Sequence, residues 1–313
     1  MKSGSAMLSH DKRYSRYKMK QTIGGIKVSL TARLGQVVNL KVARITEFGY
    51  FLTDGCEDVM LHKNEAKREY TEEEDVEVFL YPDAKGRIAA TDTIPFITVN
   101  HYGWAQAADV KPGIGIFLNI GIKKELLLGE EDLPAHKSVW PIKGDMLFTT
   151  IRISRNNRMY ARLATDKVIE EIAVKATKKD FNKNVQGHIY RTAKVGSWVY
   201  TTEGFKGFIH ESQREKEPRL GEKVEGRIID VKIDGSINVS LLGRKQETLD
   251  DDAERIFAFL QSRNGAMPYS DKSLPEDIME RFNLSKSAFK RALGRLMKDG
   301  KIYQEEGWTY LKK

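Results

Sequence analysis

The feature that most restricts the fold of this chain is a pattern that returns along its length. Phe48-Gly49-Tyr50-Phe51-Leu52 leads through Asp54-Gly55 to Asp58-Val59-Met60-Leu61-His62. The same order returns as Val195-Gly196-Ser197-Trp198-Val199, Glu203-Gly204 and Lys206-Gly207-Phe208-Ile209-His210. Glycine to histidine is 13 residues in the first copy and 14 in the second. A looser copy lies between them: Ile114-Gly115-Ile116-Phe117-Leu118, Ile120-Gly121 and Glu125-Leu126-Leu127-Leu128, in which Leu128 stands at the histidine position.

Each copy is followed by a second alternating pair of runs. Val76 to Tyr81 turns at Asp83-Ala84-Lys85-Gly86 into Arg87 to Ala90, and Met146 to Ile153 turns at Arg155-Asn156-Asn157 into Arg158 to Ala161. Val224 to Val231 turns at Asp234-Gly235 into Ser236 to Leu241. Asp-Gly and Asn-Asn between alternating runs are hairpin chemistry. Five short strands within roughly 60–70 residues match an OB barrel. The expected fold is therefore mainly β with some α: three tandem five-stranded barrels, then a different module.

That last module is helical first. Asp250 to Arg263 carries Ile256, Phe257, Phe259 and Leu260 at helical spacing. Ser273-Leu274-Pro275-Glu276 reads as a capping box opening a helix through Phe282. Ser285 caps a third helix, Lys286 to Lys298, and Lys301–Gln304 with Trp308–Leu311 flank a hairpin turn at Glu305-Glu306-Gly307. Three helices and a hairpin are a winged helix. The expected boundaries are a partly disordered tail at 1–29 and barrels at 30–95, 96–166 and 185–246. A helical connector at 167–184 and a winged helix at 247–313 complete them.

Composition narrows the function. The single cysteine, Cys56, excludes an intrachain disulfide framework and a cysteine-clustered zinc site, as in a reducing cytoplasm. No apolar run reaches membrane-spanning length, and the polar, basic start of the chain is not expected to be a secretory signal. The net charge of +8 is uneven. Residues 30–95 carry 8 Lys and Arg against 13 Asp and Glu, whereas residues 167–246 carry 16 against 11. A basic excess favours polyanion partners.

The barrel motifs resemble the S1 RNA-binding domain, a branch of the OB fold. Three such units followed by a winged helix resemble the conserved virulence factor B (YitL-like) family of bacterial RNA-binding proteins. The resemblance spans about residues 30–313. It implies post-transcriptional regulation, for example through RNA decay, and it carries nucleic-acid contacts onto Phe48, Phe51, His62 and Arg87. The matching positions are Phe117 and Arg158 in the middle copy, where Ile114 and Leu128 replace the other two, and Trp198 and His210 in the last copy. There Val195 and Ser236 replace the other two. Exposed rings stack on unpaired bases. Phe48 and Phe51 are three apart, and a bulge at Gly49 is expected to bring both rings to one side. The middle copy is expected to act as a spacer or docking element rather than as a binder.

In the third helix, Phe289, Ala292, Leu293, Leu296 and Met297 form the face that buries, with Ser287, Arg291, Arg295 and Lys298 opposite it. That basic face suits phosphates or base edges. Trp308 is expected in the core. Lys175, Lys178, Lys179 and Lys183 read as a solvated face, and Tyr14 and Tyr17 lie in the basic tail.

No cofactor or metal site is expected. The six histidines show no metal-ligand spacing, no phosphate-cradling loop is present, and Glu72-Glu73-Glu74-Asp75 reads as a solvated run. The chain reads as a non-catalytic, cytoplasmic binder of single-stranded RNA. Two alternatives stay open: a DNA-binding regulator acting through the winged helix, or an adaptor docking to ribosome or RNA-decay proteins.

Overall fold

A computed structural model describes residues 28–243 and 245–312. The basic tail with Tyr14 and Tyr17 lies outside the described residues. The chain divides into two compact units, residues 1–241 and 242–313.

The first unit holds three closed five-stranded barrels. In the first, β1 (Val37–Thr46), β2 (Gly49–Thr53), β3 (Asp58–His62), β4 (Asp75–Pro82) and β5 (Ile88–Thr91) close in the order β1-β2-β3-β5-β4. Neighbours are antiparallel except β3 and β5. The middle barrel repeats this with β6 (Gly103–Lys111), β7 (Gly115–Asn119), β8 (Leu126–Gly129), β9 (Met146–Ile153) and β10 (Met159–Leu163). The third uses β11 (Asn184–Ala193), β12 (Gly196–Thr201), β13 (Lys206–His210), β14 (Lys223–Val231) and β15 (Ile237–Ser240). Period-2 alternation sends Val38, Leu40 and Val42 of β1 and Val76, Val78 and Leu80 of β4 into the first core. Such burial contributes roughly 1.5–3 kcal/mol per large side chain.

The recurring glycine of each copy has one structural cause. A Cβ on Gly49 would lie 2.2 Å from the carbonyl oxygen of Leu61, and on Gly115 and Gly196 it would lie 2.1 and 2.4 Å from those of Leu128 and Ile209. The third strand passes too close for any side chain there. The expected bulge at Gly49 is absent. The register shifts instead in the first strand of each barrel, between Val42 and Arg44, Ala107 and Asp109, and Ile189 and Arg191. Without the shift, Arg44 and Arg191 would follow the buried Val42 and Ile189 by two positions and point inward.

The barrels pack directly on one another. Phe79 of β4 faces away from its own core and is buried with Ile97, Ile116 and Leu118 of the middle barrel. Lys123 pairs with Glu65 at 3.2 Å, and the Lys124 ammonium donates to the Pro82 carbonyl. Between the middle and third barrels, Arg219 pairs with Asp145 at 3.2 Å and the Trp104 ring lies 5.0 Å from that of His188. The expected connector is helical only over α1 (Asp166–Ile172); its lysines follow in extended and 3-10 segments, because the chain must return to the third barrel at Asn184.

The second unit contains α2 (Lys245–Ser262), β16 (Ala266–Met267), α3 (Pro275–Phe282), α4 (Lys286–Lys298), β17 (Ile302–Glu305) and β18 (Trp308–Leu311), with sheet order β16-β18-β17. This is a winged helix. The Ser285 hydroxyl accepts from the Ala288 N–H and caps α4, as expected. The capping box at Ser273 does not form: Leu274 is the N-cap of α3, and the Ser273 hydroxyl accepts from the Ser270 N–H in the preceding turn. Pro275 at the first helical position needs no donor partner, so the helix starts without a side-chain cap. Met297 is exposed rather than buried, since Phe289, Leu293 and Leu296 already fill the α4 face. Trp308 is also exposed and stacks on Tyr310. Its strand neighbour Thr309 points inward instead, donating to the Tyr269 carbonyl.

Candidate nucleic-acid interface

Pairing across β2, β3 and β5 defines an outer face that is equivalent in the three barrels. In the first barrel Phe51 stands opposite Met60, and Met60 beside Ala89. In the middle barrel the same places hold Phe117, Leu127 and Tyr160. In the third they hold Trp198, Phe208 and Asn238. Phe51, Phe117 and Trp198 are half-buried.

A cation lies over each of these rings. The Arg44 guanidinium is 4.1 Å from the Phe51 centroid, the Lys111 ammonium 4.9 Å from that of Phe117, and the Arg191 guanidinium 4.4 Å from that of Trp198. Arg44 and Arg191 reach this position because of the first-strand bulge. In the third barrel the rings of Trp198 and Phe208 are 5.0 Å apart, and Lys232 lies 5.8 Å from the second. Sequence reasoning passed over Phe208 and Tyr160; their alternation with the buried Ile209 and Ala161 was the available signal.

His62 and His210 share the outer face with Phe51 and Trp198, two positions beyond Met60 and Phe208 on the same strand. Each also ends its strand in a tight turn. The Nδ1 of His62 accepts from the Asn64 N–H at 3.1 Å, and that of His210 from the Ser212 N–H at 3.2 Å. With Nδ1 accepting, Nε2 is the N–H donor of each ring. In the middle barrel Gly115 pairs with Gly129, so Gly129, and not Leu128, holds the histidine place. The 3-10 turn after it has no side-chain cap, and Leu128 is core. The one-residue slip arises because this copy spans 14 residues from glycine to glycine, like the third.

Phe48 lies in the turn before β2, 60% exposed, with its carbonyl accepting from the Lys63 N–H beside His62. Its counterparts Ile114 and Val195 are equally open. Arg87 is exposed but grips Asp83 with two guanidinium hydrogen bonds of 2.9 and 2.7 Å. Desolvation works to raise the Asp83 carboxyl, yet the Arg87 guanidinium and the Arg87 and Lys85 N–H groups outweigh it and hold the group below the usual carboxylate range. Arg158 occupies the same turn place in the middle barrel and is exposed.

Ion pairing separates the middle face from the other two. In the first barrel Arg44 meets Asp58 at 3.8 Å, and Arg68 is held by Glu74. In the third, Arg191 is held by Asp166 and Lys206 meets Glu170 at 2.5 Å. Among the described residues, Arg152, Arg158 and Arg162 of the middle barrel and Lys232 of the third form no ion pair.

On α4, Ser287, Arg291 and Lys298 are exposed, and Arg295 is half-buried with Nε 3.4 Å from Asp299. The wing adds Tyr303 stacked on Tyr310 at 5.2 Å. Among the described residues no group of His, Cys, Asp and Glu is arranged to hold a metal ion, and no helix is long and apolar enough to cross a membrane.

Comparison with known proteins agrees with this architecture. Family models match in order: an S1 domain over residues 34–92, the CvfB first S1-like domain over 102–162, the second domain of virulence regulatory factor CvfB over 169–243, and the CvfB-like winged helix domain over 254–311. The chain is 48% identical over 281 residues to the uncharacterized protein YitL of Bacillus subtilis, covering 90% of this chain and 94% of that one. It is 40% identical to conserved virulence factor B of Staphylococcus haemolyticus, over 90% of this chain and 95% of the relative. A crystal structure from Streptococcus pneumoniae, described as a multidomain protein with nucleic acid binding domains, superposes with a TM-score of 0.62 at 33% identity, covering 89% of this chain and 98% of that one.

Proposed function

Because the chain belongs to the conserved virulence factor B family, we propose that it is a non-catalytic, cytoplasmic protein that binds single-stranded RNA and regulates gene expression after transcription. The observation that carries this reading is the outer face of the third barrel. Trp198 and Phe208 lie side by side there, Arg191 and Lys232 stand over them, and His210 offers an Nε2–H donor. Flat rings open to solvent accept bases only after those bases have left a duplex, so the ligand is a single strand. Lys232, which forms no ion pair among the described residues, supplies a phosphate contact and makes binding salt-dependent. The preference for RNA follows from the S1 character of the barrels.

The test is a titration of the full chain with a single-stranded RNA and with duplex DNA at several salt concentrations. Trp198→Ala is expected to lower RNA affinity by about 5- to 150-fold, the equivalent of about 1–3 kcal/mol for a missing stack. Unchanged affinity in a folded variant overturns the reading. A preference for duplex DNA that survives Trp198→Ala but not Arg291→Ala with Arg295→Ala points to a DNA-binding regulator. Absence of any polyanion binding points to a protein-docking adaptor.

A further inference from the structure

We infer that the middle barrel, the copy with the weakest motif, carries a second RNA-binding face, and that the strand held by the third barrel continues onto it. This rests on the RNA reading above. Two rings lie on the middle face, Phe117 on β7 and Tyr160 on β10, with β8 between them. Two inter-strand spacings place their strands about 10 Å apart. Each ring has its own cation: Lys111 over Phe117 at 4.9 Å and Arg152 over Tyr160 at 5.8 Å. Arg152, Arg158 and Arg162 are exposed and, among the described residues, unpaired with any carboxylate. A face with two stacking rings and three unneutralised guanidinium groups has the makings of a polyanion track.

The first barrel differs at each of these points. Ala89 replaces Tyr160, and Tyr81 replaces Arg152. Tyr81 packs against the middle barrel's core residues, with Lys124 5.9 Å from its ring. The edge of the first face is thus occupied by its neighbour, and its arginines are already paired. The segment leaving the middle face also leads to the third. β10 runs into α1, whose Asp166 accepts from the Tyr190 hydroxyl at 2.9 Å and holds Arg191, the cation over Trp198. Tyr160 and Asp166 are six residues apart, so their Cα atoms are at most about 22 Å apart. A strand longer than one barrel's footprint can reach both faces.

The experiment compares oligouridylates of about 6 and about 24 nucleotides, within and beyond one OB-barrel footprint, on the full chain. Tyr160→Ala and Phe117→Ala are each expected to weaken the long strand by about 5- to 150-fold and the short strand by less than about twofold. Tyr160→Phe, which keeps the ring, should restore long-strand binding. Arg152→Gln with Arg162→Gln changes only exposed side chains. It should lower the slope of log affinity against log salt by about 0.7 for each phosphate no longer neutralised. If the long strand binds Tyr160→Ala and the double glutamine variant as it binds the unaltered chain, while Trp198→Ala still weakens it, the inference is overturned and the third-barrel reading stands. If the unaltered chain does not bind RNA, both fall.

Discussion

The first barrel has the fuller motif and the middle barrel the more available surface. Phe48, Phe51, His62 and Arg87 are all present in the first. Yet Arg44 and Arg87 are engaged by Asp58 and Asp83, and the face ends at Tyr81 against the next barrel. The middle barrel lacks the histidine and has an aliphatic residue in place of Phe48, yet it presents Phe117 and Tyr160 beside unpaired arginines. The contrast separates two kinds of information carried by one motif. The glycine lets the third strand pass, and the histidine caps the turn that follows. Both are requirements of the backbone, so a faithful motif reports a well-built barrel. What stands on the outer face, and which of its charges remain unmatched, is separate information that the motif does not carry.

The largest expected effect tests how firmly the first barrel is joined to the middle one. Phe79 is fully buried in the middle barrel's cluster. Phe79→Ala should lower the unfolding free energy by about 3–5 kcal/mol, through reduced burial plus a cavity. Denaturant titration measures it. A cost below about 1 kcal/mol, the level of a half-exposed side chain, would mean that the two barrels do not rely on each other.

The two motif histidines sharpen the comparison at lower energy. Removing the Nδ1 acceptor in His62→Ala or His210→Ala should cost about 0.5–2 kcal/mol of stability, as for other caps. Only His210→Ala should also weaken RNA, because its ring lies 6.3 Å from that of Phe208. An equal drop of RNA affinity in both variants would show that the first barrel contributes to binding as the third does. A smaller effect in the opposite direction comes from Asp58→Asn. Releasing Arg44 from an exposed pair of about 0.2–1 kcal/mol should raise long-strand affinity by up to about fivefold and steepen its salt dependence. An unchanged affinity would show that the Arg44–Asp58 pair does not limit RNA binding at this face.

Much of this architecture was legible in the sequence. The repeat, the hairpin turns and the 3.6-residue period of α4 pointed to three barrels and a winged helix, because each is a local pattern read against a fixed geometry. The outer faces were less legible. The bulge between Val42 and Arg44 adds a residue without any local mark, so strict alternation points Arg44 inward. Leu128 and Gly129 differ by one place, and only strand pairing distinguishes them. Phe79 looks like an ordinary strand residue until its outward side meets the next barrel. Pairs such as Arg44–Asp58 and Arg191–Asp166 join residues 14 and 25 apart, a separation at which the fold alone decides who meets whom.

The smallest effect concerns histidines that no motif marks. His188 lies at the seam of the middle and third barrels against Trp104, its Nδ1 3.2 Å from the Gly221 carbonyl. Burial pushes its pKa below the ordinary histidine value; the Gly221 carbonyl opposes this and Lys223 adds to it. Burial lowers His101, in the link between the first two barrels, in the same direction. In the unfolded chain both titrate near about 6.5. Between that value and their lower folded values the unfolded state binds more protons, so stability falls as the solution is acidified through this window and is fully present above it. Thermal unfolding at about pH 7.5 and about pH 5.5 should therefore show a lower midpoint in acid. His188→Gln keeps a donor for Gly221 but no titratable ring, and should flatten that dependence while leaving the exposed histidines in place. An acid dependence as steep in this variant as in the unaltered chain would remove the middle–third seam from the pH response and leave the linker around His101 to account for it.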